Sequence, residues 1–234
     1  MPVATGNRAI PLTIPKTIIE RLPVYQRYLS ELAKEETEKI SSFELAAKMG
    51  INASQIRKDL NWYGSFGLQG YGYRVTELLY QINQILGLAY ETTMVLIGGG
   101  NLGRALMNYP GFQAQYFIIK AVFDNNPAII GNNINGLIVN PIGLLSEYLQ
   151  QNPTKIGIIT TSIPGAQEVV DLLVNGGIQG VWNFAPLKIK VPSHITVEQV
   201  HIIESLMMLS YKCKSKSYEN QENGGQNDGE KGIG

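Results

Sequence analysis

Hydrophobic residues in the first part of the chain recur at three- and four-residue spacing. The stripe consists of Ile18, Leu22, Tyr25, Leu29 and Leu32. This spacing predicts an amphipathic helix from Pro15 to Glu36, with a kink at Pro23. A second helical pattern runs from Val75 to Leu88. The pattern therefore predicts a mainly helical domain over residues 14–88.

From Thr92 onward, short apolar strands alternate with helical segments. Strands are expected at 94–97, 118–123, 156–159 and 180–182, and helices at 101–109, 141–151 and 165–175. This alternation predicts an α/β Rossmann domain over residues 89–197, with a parallel sheet covered on both faces. The hydrophobic pattern of residues 198–213 predicts a C-terminal amphipathic helix. Residues 214–234 are rich in Gly, Asn and Gln, which predicts a disordered tail.

Composition narrows the classes of function. The 234 residues include 19 Lys and Arg, 19 Asp and Glu, one Cys and two His, and 44% are hydrophobic. The charge balance excludes a polycation but not a local basic face. The few Cys and His residues argue against a disulfide and against a metal site. Apolar runs are too short for a membrane span and the N-terminus lacks a secretory signal, so a cytoplasmic protein is expected.

Two capping patterns predict a helix-turn-helix in the first domain. Ser41 precedes Glu44 by three residues, and Asn52 precedes Gln55 in the same way, with Gly50 between the two helices. Each pattern is typical of a helix start. The two helices are therefore expected to be separated by a tight turn.

The second of these helices has a polar face suited to DNA. Gln55, Arg57 and Lys58 fall away from the apolar positions Ile56 and Leu60, and such side chains bind base edges and phosphates. The following segment, G-S-F-G-L-Q-G-Y-G-Y-R, predicts a β-hairpin. Helices and hairpin together indicate a winged-helix DNA-binding domain. A small helical domain with a solvated polar face is the alternative.

A glycine-rich loop follows the first predicted strand of the second domain. Gly98, Gly100 and Gly103 have the spacing G-x-G-x-x-G between a buried strand and a helix, as in dinucleotide-binding folds. Asp124 follows Gly103 by 21 residues, at the end of the next strand. An acid there accepts from ribose hydroxyls and repels a 2′-phosphate, which favours NAD(H) over NADP(H). Another nucleotide, such as coenzyme A, is the alternative.

The chain offers little for catalysis on that nucleotide. Tyr116 and Lys120 have the spacing of a dehydrogenase pair but lie on the wrong element, and His194 lies in a loop, which leaves His201 as the candidate acid or base. The two domains and the tail leave no substrate domain. The nucleotide is therefore expected to be a signal. A compact NAD-dependent oxidoreductase remains the alternative from the enzyme class.

Taken together, residues 14–212 resemble the Rex family of bacterial redox-sensing transcriptional repressors. The resemblance is carried by I-P-K-T-I-I-E-R-L-P-V-Y-Q-R-Y-L, S-S-F-E-L-A, Q-I-R-K-D-L-N-W-Y-G-S-F-G, G-Y-G-Y, I-L-G-L, G-G-G-N-L-G, N-Y-P-G-F and W-N-F-A-P. It implies a homodimer with winged helices on a palindromic operator, Rossmann domains that bind NAD(H), and a C-terminal helix exchanged between subunits. It also implies that NADH releases the operator, which the NAD-bound or cofactor-free dimer holds.

The resemblance further implies which residues form the sites. Those for the cofactor are Gly98, Gly99, Gly100, Asn101, Leu102, Gly103, Tyr109, Asp124, Ser162, Asn183 and Phe184. Those for double-stranded DNA are Gln55, Arg57 and Lys58 on the helix, and Gln69, Gly70 and Tyr73 on the wing. Arg27 is expected to pair with an acid of the exchanged helix.

Two positions depart from the family pattern. Gln69 stands where the wing usually carries a basic residue, and His201 stands where the exchanged helix usually carries the acid. Glu198 and Glu204 lie three residues on either side of His201, on nearly the same face if the segment is helical. A Rex-like repressor with an altered NADH response is therefore a further hypothesis.

Overall fold

The computed structural model describes residues 14–62, 67–68, 72–161 and 165–224, and for residues 67–68 and 217–224 it describes the backbone alone. The chain divides into two compact units, Met1–Glu91 and Thr92–Gly234. Within the described ranges, no helix is both long enough and apolar enough to cross a membrane.

The N-terminal unit consists of short helices and a small antiparallel sheet. Its elements are α1 (Lys16–Ile19), α2 (Leu22–Lys34), β1 (Lys39–Ile40), α3 (Ser42–Met49), α4 (Ala53–Asn61), β2 (Gly67–Leu68), β3 (Gly72–Arg74) and α5 (Val75–Ile85). The strands pair in the order β1-β3-β2. Leu22, Leu29, Leu45, Ile56 and Leu78 are buried together in the core that these helices enclose.

The prediction of a single kinked helix from Pro15 to Glu36 is wrong. The segment forms two helices, and α1 ends at Ile19 before α2 begins at Leu22. Pro23 lies in the first turn of α2, where its missing N–H costs no helical hydrogen bond. The proline therefore starts a new helix instead of bending a continuous one.

Helices α3 and α4 form the predicted pair with a turn between them. The capping box at the start of α3 is confirmed, because the Ser41 hydroxyl accepts from the Glu44 N–H and the Glu44 carboxylate accepts from the Ser41 N–H. Gly50 adopts the left-handed conformation, with φ 67°, at the end of α3. The prediction of a second capping box is wrong, since among the described contacts the Asn52 side chain accepts no hydrogen bond at the start of α4.

The predicted hairpin is present as the antiparallel pair β2 and β3. Gly67 lies opposite Tyr73 and Leu68 opposite Gly72. Gly72 has φ +75°, and a Cβ there would lie 2.7 Å from the Ile40 carbonyl oxygen of the neighbouring strand β1. This close approach requires glycine. The connection over residues 69–71 lies outside the described residues.

The second unit contains a larger sheet with helices between its strands. Its elements are β4 (Thr92–Ile97), α6 (Asn101–Met107), α7 (Gly111–Ala114), β5 (Phe117–Asp124), β6 (Asn133–Ile134), β7 (Leu137–Pro141), a 3₁₀ turn (Ile142–Leu144), α8 (Leu145–Gln151), β8 (Ile156–Ile159), α9 (Ala166–Asn175), β9 (Gly180–Asn183), β10 (Thr196–Gln199) and α10 (Ile202–Gly224). Val95, Phe123, Ile159 and Val181 are buried between this sheet and its helices.

The strands of the described sheet follow the order β10-β9-β8-β4-β5-β7-β6. All neighbours pair in parallel except β6 and β7, which form an antiparallel edge. The predicted parallel α/β sheet is therefore confirmed. From β4 the chain first builds toward β5 and β7, and it then crosses to β8 on the other side of β4. This reversal of direction is typical of the dinucleotide-binding fold.

The C-terminal segment differs from its prediction at both ends. Residues 198 and 199 belong to β10, which pairs in parallel with β9, so the predicted helix start at 198 is wrong. Helix α10 begins at Ile202 and continues to Gly224, into the segment predicted to be disordered. The pattern T-V-E-Q gives only a weak strand signal, because β10 is four residues long and none of its side chains is fully buried.

Candidate functional site

A cavity of about 410 Å³ lies at the carboxyl ends of β4, β5 and β8. It is lined by Ile97, Gly98, Gly100, Asp124, Asn125, Asn126, Ile129, Ile142, Thr160, Thr161, Gly165, Glu168, Val169 and Leu172. The strand order reverses between β4 and β8, and doubly wound sheets bind ligands in the crevice at such a switch point. The cavity therefore lies where the fold alone predicts a ligand.

The three glycines of the loop meet different steric demands. Gly98 has φ +107°, and a Cβ there would lie 2.7 Å from Thr160 Oγ1. A Cβ on Gly103 would overlap the Gly98 carbonyl oxygen, so this glycine permits the close packing of α6 on the loop. A Cβ on Gly100 would meet open space beside the cavity. The bare backbone at Gly100 thus leaves room for a ligand to approach, as a pyrophosphate cradle requires.

Hydrogen bonds hold this loop from both sides. Thr160 Oγ1 lies 2.8 Å from the Gly98 carbonyl oxygen and 3.1 Å from that of Ile97, and donates toward both. Arg104 Nε, on α6, donates to the Gly99 carbonyl oxygen at 3.1 Å. The Gly99 N–H donates to Asp124 Oδ2 at 2.7 Å. The loop is therefore fixed in place before any ligand binds.

Asp124 has two roles at the end of β5. Its side chain is buried, and besides Gly99 it accepts from the Asn126 N–H through Oδ1 at 2.8 Å. A carboxylate has about four acceptor positions, so each oxygen can still accept from a ligand hydroxyl. The described lining of the cavity contains two carboxylates, Asp124 and Glu168, and no Lys or Arg. Such a lining disfavours an additional phosphate on the ligand.

Thr160 and Thr161 are site residues that the sequence interpretation missed. Thr161 Oγ1 is buried at the cavity with no hydrogen-bond partner in the described part of the chain. The available signal was their position directly after β8, because the carboxyl ends of parallel strands carry the ligand contacts in this fold. Ser162, the predicted residue that follows them, lies outside the described residues.

Of the other predicted cofactor residues, three belong to the glycine loop or to the helix that follows it, and Tyr109 lies elsewhere in the unit. Gly99 is in the loop, and Asn101 and Leu102 form the first turn of α6. Tyr109 is exposed and lines another cavity, of about 320 Å³. Edge-to-face ring contacts link Tyr109, Phe112, Trp182 and Phe184 in a row.

Asn183 ends β9 and is fully buried. Its amide nitrogen donates to the Leu187 carbonyl oxygen and to Gln199 Oε1, and the latter contact ties β9 to β10. Asn183 and Phe184 are not among the described residues that line the cavity containing Asp124. The cavity thus brings Gly98, Gly100 and Asp124 together. Asn183 and Phe184 lie at the carboxyl end of the neighbouring strand β9, where the Phe184 N–H donates to the Ile159 carbonyl oxygen of β8.

In the N-terminal unit, α4 presents the predicted basic face. Arg57 and Lys58 are exposed, whereas Ile56 and Leu60 are buried. Arg57 Nη1 donates to Ser42 Oγ at 3.0 Å, and its guanidinium lies 5.5 Å from the centre of the Phe43 ring. Residues at the start of α3 thus hold the Arg57 side chain in place.

The remaining predicted DNA residues are more buried or outside the described part. Tyr73 packs half-buried against the core, and this burial raises the pKa of its hydroxyl, partly offset by the charge of Arg57. Gln55 is half-buried and donates to Asp59. Gln69 and Gly70 lie outside the described residues.

The two predicted switch residues lie in different units. Arg27 is exposed on α2, with its guanidinium 5.1 Å from the centre of the Tyr28 ring. His201 directly precedes α10, and its Nδ1 lies 3.5 Å from Glu204 Oε1. The expectation that Glu198 and Glu204 share a helix face is wrong, because Glu198 lies on β10.

Comparisons with known proteins agree with this arrangement. Residues 13–61 match the family model described as "Putative DNA-binding protein N-terminus", and residues 89–187 match the one described as "CoA binding domain". The chain is 49% identical over 199 residues to the redox-sensing transcriptional repressor Rex of Clostridium botulinum (strain Alaska E43 / Type E3), covering 85% of this chain and 95% of that protein. The chain belongs to the Rex family of redox-sensing transcriptional repressors.

Further Rex proteins extend the comparison. Rex of Clostridium tetani (strain Massachusetts / E88) is 46% identical over 198 residues, covering 85% of this chain and 94% of that protein. RSP, a Rex-family repressor, has been solved in complex with beta-NAD+ and operator DNA. It superposes with TM-score 0.83 at 41% identity, over 92% of this chain and 99% of RSP. The prediction of a Rex repressor rather than an oxidoreductase is confirmed by these relatives.

Proposed function

We propose that this chain is a transcriptional repressor that binds an inverted-repeat operator as a homodimer and releases it when NADH binds. The observation that carries the proposal is the cavity at the strand switch point, with its glycine loop and Asp124, in a chain 49% identical to a Rex repressor. NADH and NAD+ differ by a hydride and in the charge of the nicotinamide ring, which supplies the difference that the protein reads. We expect it to act in the cytoplasm.

The cofactor assignment follows from the donors and acceptors of the cavity. The Gly98–Gly103 backbone would hold the pyrophosphate, and Asp124 would accept from the adenosine ribose hydroxyls through its remaining acceptor positions. Asp124 and Glu168 favour NAD(H) over NADP(H), because both repel a 2′-phosphate. RSP has been solved with beta-NAD+ and, separately, with beta-NADH. Family resemblance assigns Tyr109, Ser162, Asn183 and Phe184 to the nicotinamide side.

The DNA assignment centres on α4. Its exposed Arg57 and Lys58, with Gln55 in the first turn, would enter the major groove, and Gln69, Gly70 and Tyr73 would contact DNA from the wing. Two copies of this surface in a homodimer match a two-fold symmetric operator. The operator complex of RSP supports the same use of the unit.

The switch is proposed to act through Arg27 and the start of the exchanged helix α10. This chain has a histidine at residue 201, where the family has an acid. The carboxylate of the nearby Glu204 lies 3.5 Å from the His201 imidazole. We propose that Glu204 takes over the attraction to Arg27, so that NADH still releases the operator. An altered NADH response is the competing form of this proposal.

One experiment tests the function directly. A duplex is first selected by the protein from a library of random inverted repeats, and its affinity is then measured with no cofactor, with saturating NAD+ and with saturating NADH. We expect NADH to weaken binding about thirty-fold or more relative to NAD+, since useful switching needs a differential affinity of about 2 kcal/mol or more. Failure to enrich any duplex, or no salt-sensitive preference for it, would contradict the proposed operator binding. Equal affinity in both cofactor states would instead favour a repressor with an altered NADH response.

The family description of residues 89–187 makes coenzyme A the second candidate ligand. Coenzyme A carries a phosphate on its adenosine ribose, which Asp124 and Glu168 would repel. Calorimetric titration with NADH and with coenzyme A separates the two. We expect NADH to bind more tightly, and tighter binding of coenzyme A would overturn the cofactor assignment.

A further inference from the structure

Helix α4 carries a buried carboxylate that the proposed DNA contacts do not use. The Asp59 side chain is 1% exposed. Its Oδ2 accepts from Arg21 Nε and from the Tyr25 hydroxyl, each at 2.6 Å. Its Oδ1 accepts from Arg21 Nη2 and from Gln55 Nε2, each at 2.7 Å. Four short hydrogen bonds thus use the acceptor positions of this side chain.

Such a network is not explained by stability alone. A buried ion pair often stabilises a fold no more than well-packed apolar residues would, although removing one partner is costly. Burial alone would raise the pKa of Asp59, but the hydrogen bonds from Arg21, Tyr25 and Gln55 outweigh it and lower the pKa. Asp59 therefore stays charged, and the two-pronged contact with Arg21 adds directional geometry.

The network fixes α4 against α2. Arg21 lies between α1 and α2, and Tyr25 lies on α2, whereas the other buried contacts of α4 are apolar and non-directional. Side chains extend about 5–6 Å from a helix axis, so a rotation of α4 by about 20° would move their ends by about 2 Å. A shift of that size breaks a hydrogen bond to a base.

The same carboxylate sets the orientation of the Gln55 amide. Because a carboxylate only accepts hydrogen bonds, the nitrogen of that amide, and not its oxygen, must face Asp59. One amide hydrogen is then committed, and the oxygen is the acceptor that Gln55 offers to DNA. In the major groove, the donors are the amino groups of adenine and cytosine.

We propose that Asp59 is a positioning residue of the DNA-reading surface, which fixes the rotation of α4 and the amide orientation of Gln55. Gln55 then accepts from the amino group of an adenine or a cytosine. The inference rests on the proposed function of α4 as the helix that reads DNA. Asp59 itself touches no base.

The test compares the full-length parent with Asp59→Asn and Tyr25→Phe at a temperature where thermal melts show all three folded. The probes are the duplex selected by the parent protein and a scrambled duplex of the same composition. We expect Asp59→Asn to weaken binding of the selected duplex about ten-fold or more, within the range for a lost specific contact, with little change for the scrambled one. Loss of affinity for both duplexes alike would indicate a merely structural role and overturn the proposal.

Tyr25→Phe is the matched control. It removes one hydrogen bond to the same carboxylate but leaves the Arg21 contact and the Gln55 contact in place. We expect it to lower the melting temperature while the preference for the selected duplex stays near that of the parent. Equal loss of preference in Tyr25→Phe and Asp59→Asn would overturn the specific link to Gln55.

A double-mutant cycle tests that link further. Gln55→Ala should reduce discrimination at one base pair per half-site in the parent and have little further effect in the Asp59→Asn background. Additive effects would contradict the proposal. If Asp59→Asn does not fold, Arg21→Lys takes its place, because lysine keeps the charge but loses the two-pronged contact. A parent-like preference in Arg21→Lys would then overturn the role in fixing α4.

The outcomes also separate this inference from the proposed function. If the parent selects no duplex, the proposed function fails and the inference fails with it. If the parent selects a duplex and Asp59→Asn prefers it to the same degree, the inference alone is wrong.

Discussion

At the scale of single residues, Asp124 shows how one carboxylate can organise a site and also bind its ligand. Its two oxygens already accept from the N–H groups of Gly99 and Asn126, so it shapes the glycine loop in the absence of a ligand. Its spacing from Gly103 made its position predictable. The backbone contacts were not predictable, because they depend on how β5 lies against the loop.

The first prediction concerns the charge of Asp124. Asp124→Asn keeps the size of the side chain but removes the charge and presents an amide nitrogen to one of two backbone N–H donors. We expect NADH affinity to fall by about 1–3 kcal/mol, as for the loss of a hydrogen bond to a charged group. Calorimetry measures the change, and Glu168→Gln, which removes the other carboxylate of the cavity, serves as the control with a smaller loss. Unchanged NADH binding in Asp124→Asn would contradict the assignment.

Thr161 gives a second prediction at this scale. Its buried hydroxyl has no partner in the described structure, and an unpaired buried hydroxyl costs about 1–3 kcal/mol by mutational data. Thr161→Val should therefore leave the ligand-free protein at least as stable, and it should weaken NADH binding if the cofactor supplies the missing partner. Thermal melts and calorimetry on the same samples measure both effects. The idea fails if Thr161→Val binds NADH as the parent does.

At the scale of elements, local signals predicted α3 and α4 well. The capping box at Ser41 depends on residues only three positions apart, and both of its hydrogen bonds form. At Asn52 the pattern does not form a capping box: the Gln55 N–H donates to the Asn52 backbone carbonyl oxygen, and the Gln55 side chain donates to Asp59, which is itself bound to Arg21. A contact between residues 38 positions apart has no local signature, so the buried network at Asp59 could not be predicted from the sequence.

The prediction that belongs to α4 concerns its exposed cation. Lys58→Ala should weaken binding of the selected duplex by about 1–3 kcal/mol and leave NADH binding intact, because Lys58 lies on the exposed face of the helix. Lys48→Ala is the control, since Lys48 is also exposed but lies on the neighbouring helix α3. Fluorescence anisotropy with labelled duplex measures the affinities. Identical losses in the two variants would mean that α4 is not specifically the reading element.

The larger sheet could be predicted in its centre but not at its edges. The strands β4, β5, β8 and β9 contain buried apolar runs, and their alternation with helices indicated the parallel order. The edge strands β6 and β10 are short and half-exposed, so their hydrophobic pattern is weak. The carboxyl ends of the central strands carry the cavity, which is why the main part of the candidate site could be predicted from the sequence.

At the scale of the whole molecule, α10 bears on the proposed homodimer, because it exposes a large apolar surface in the single chain. The large apolar side chains in its described part are between 55% and 67% exposed: Ile202, Ile203, Leu206, Met207, Met208, Leu209 and Tyr211. They lie all around the helix, and a helix that is apolar on every side is normally buried in protein. The proposed exchange of α10 with a second copy of the chain would cover these side chains.

The last prediction tests this exchange. Leu206→Glu places a charge in the middle of the apolar segment, where burial against a second chain would leave it unpaired at a large cost. We therefore expect the variant to be monomeric by sedimentation velocity and to bind the selected inverted-repeat duplex far more weakly, since one reading helix then meets one half-site.

Lys212→Glu is the control for Leu206→Glu, because it changes the charge of the same helix without removing an apolar contact. It should stay dimeric and bind the duplex like the parent. Monomeric parent protein, or a Leu206→Glu variant that sediments as a dimer, would contradict the exchange. If both glutamate variants became monomeric, the effect would come from the charge of α10, and its apolar residues would have no special part in holding the dimer together.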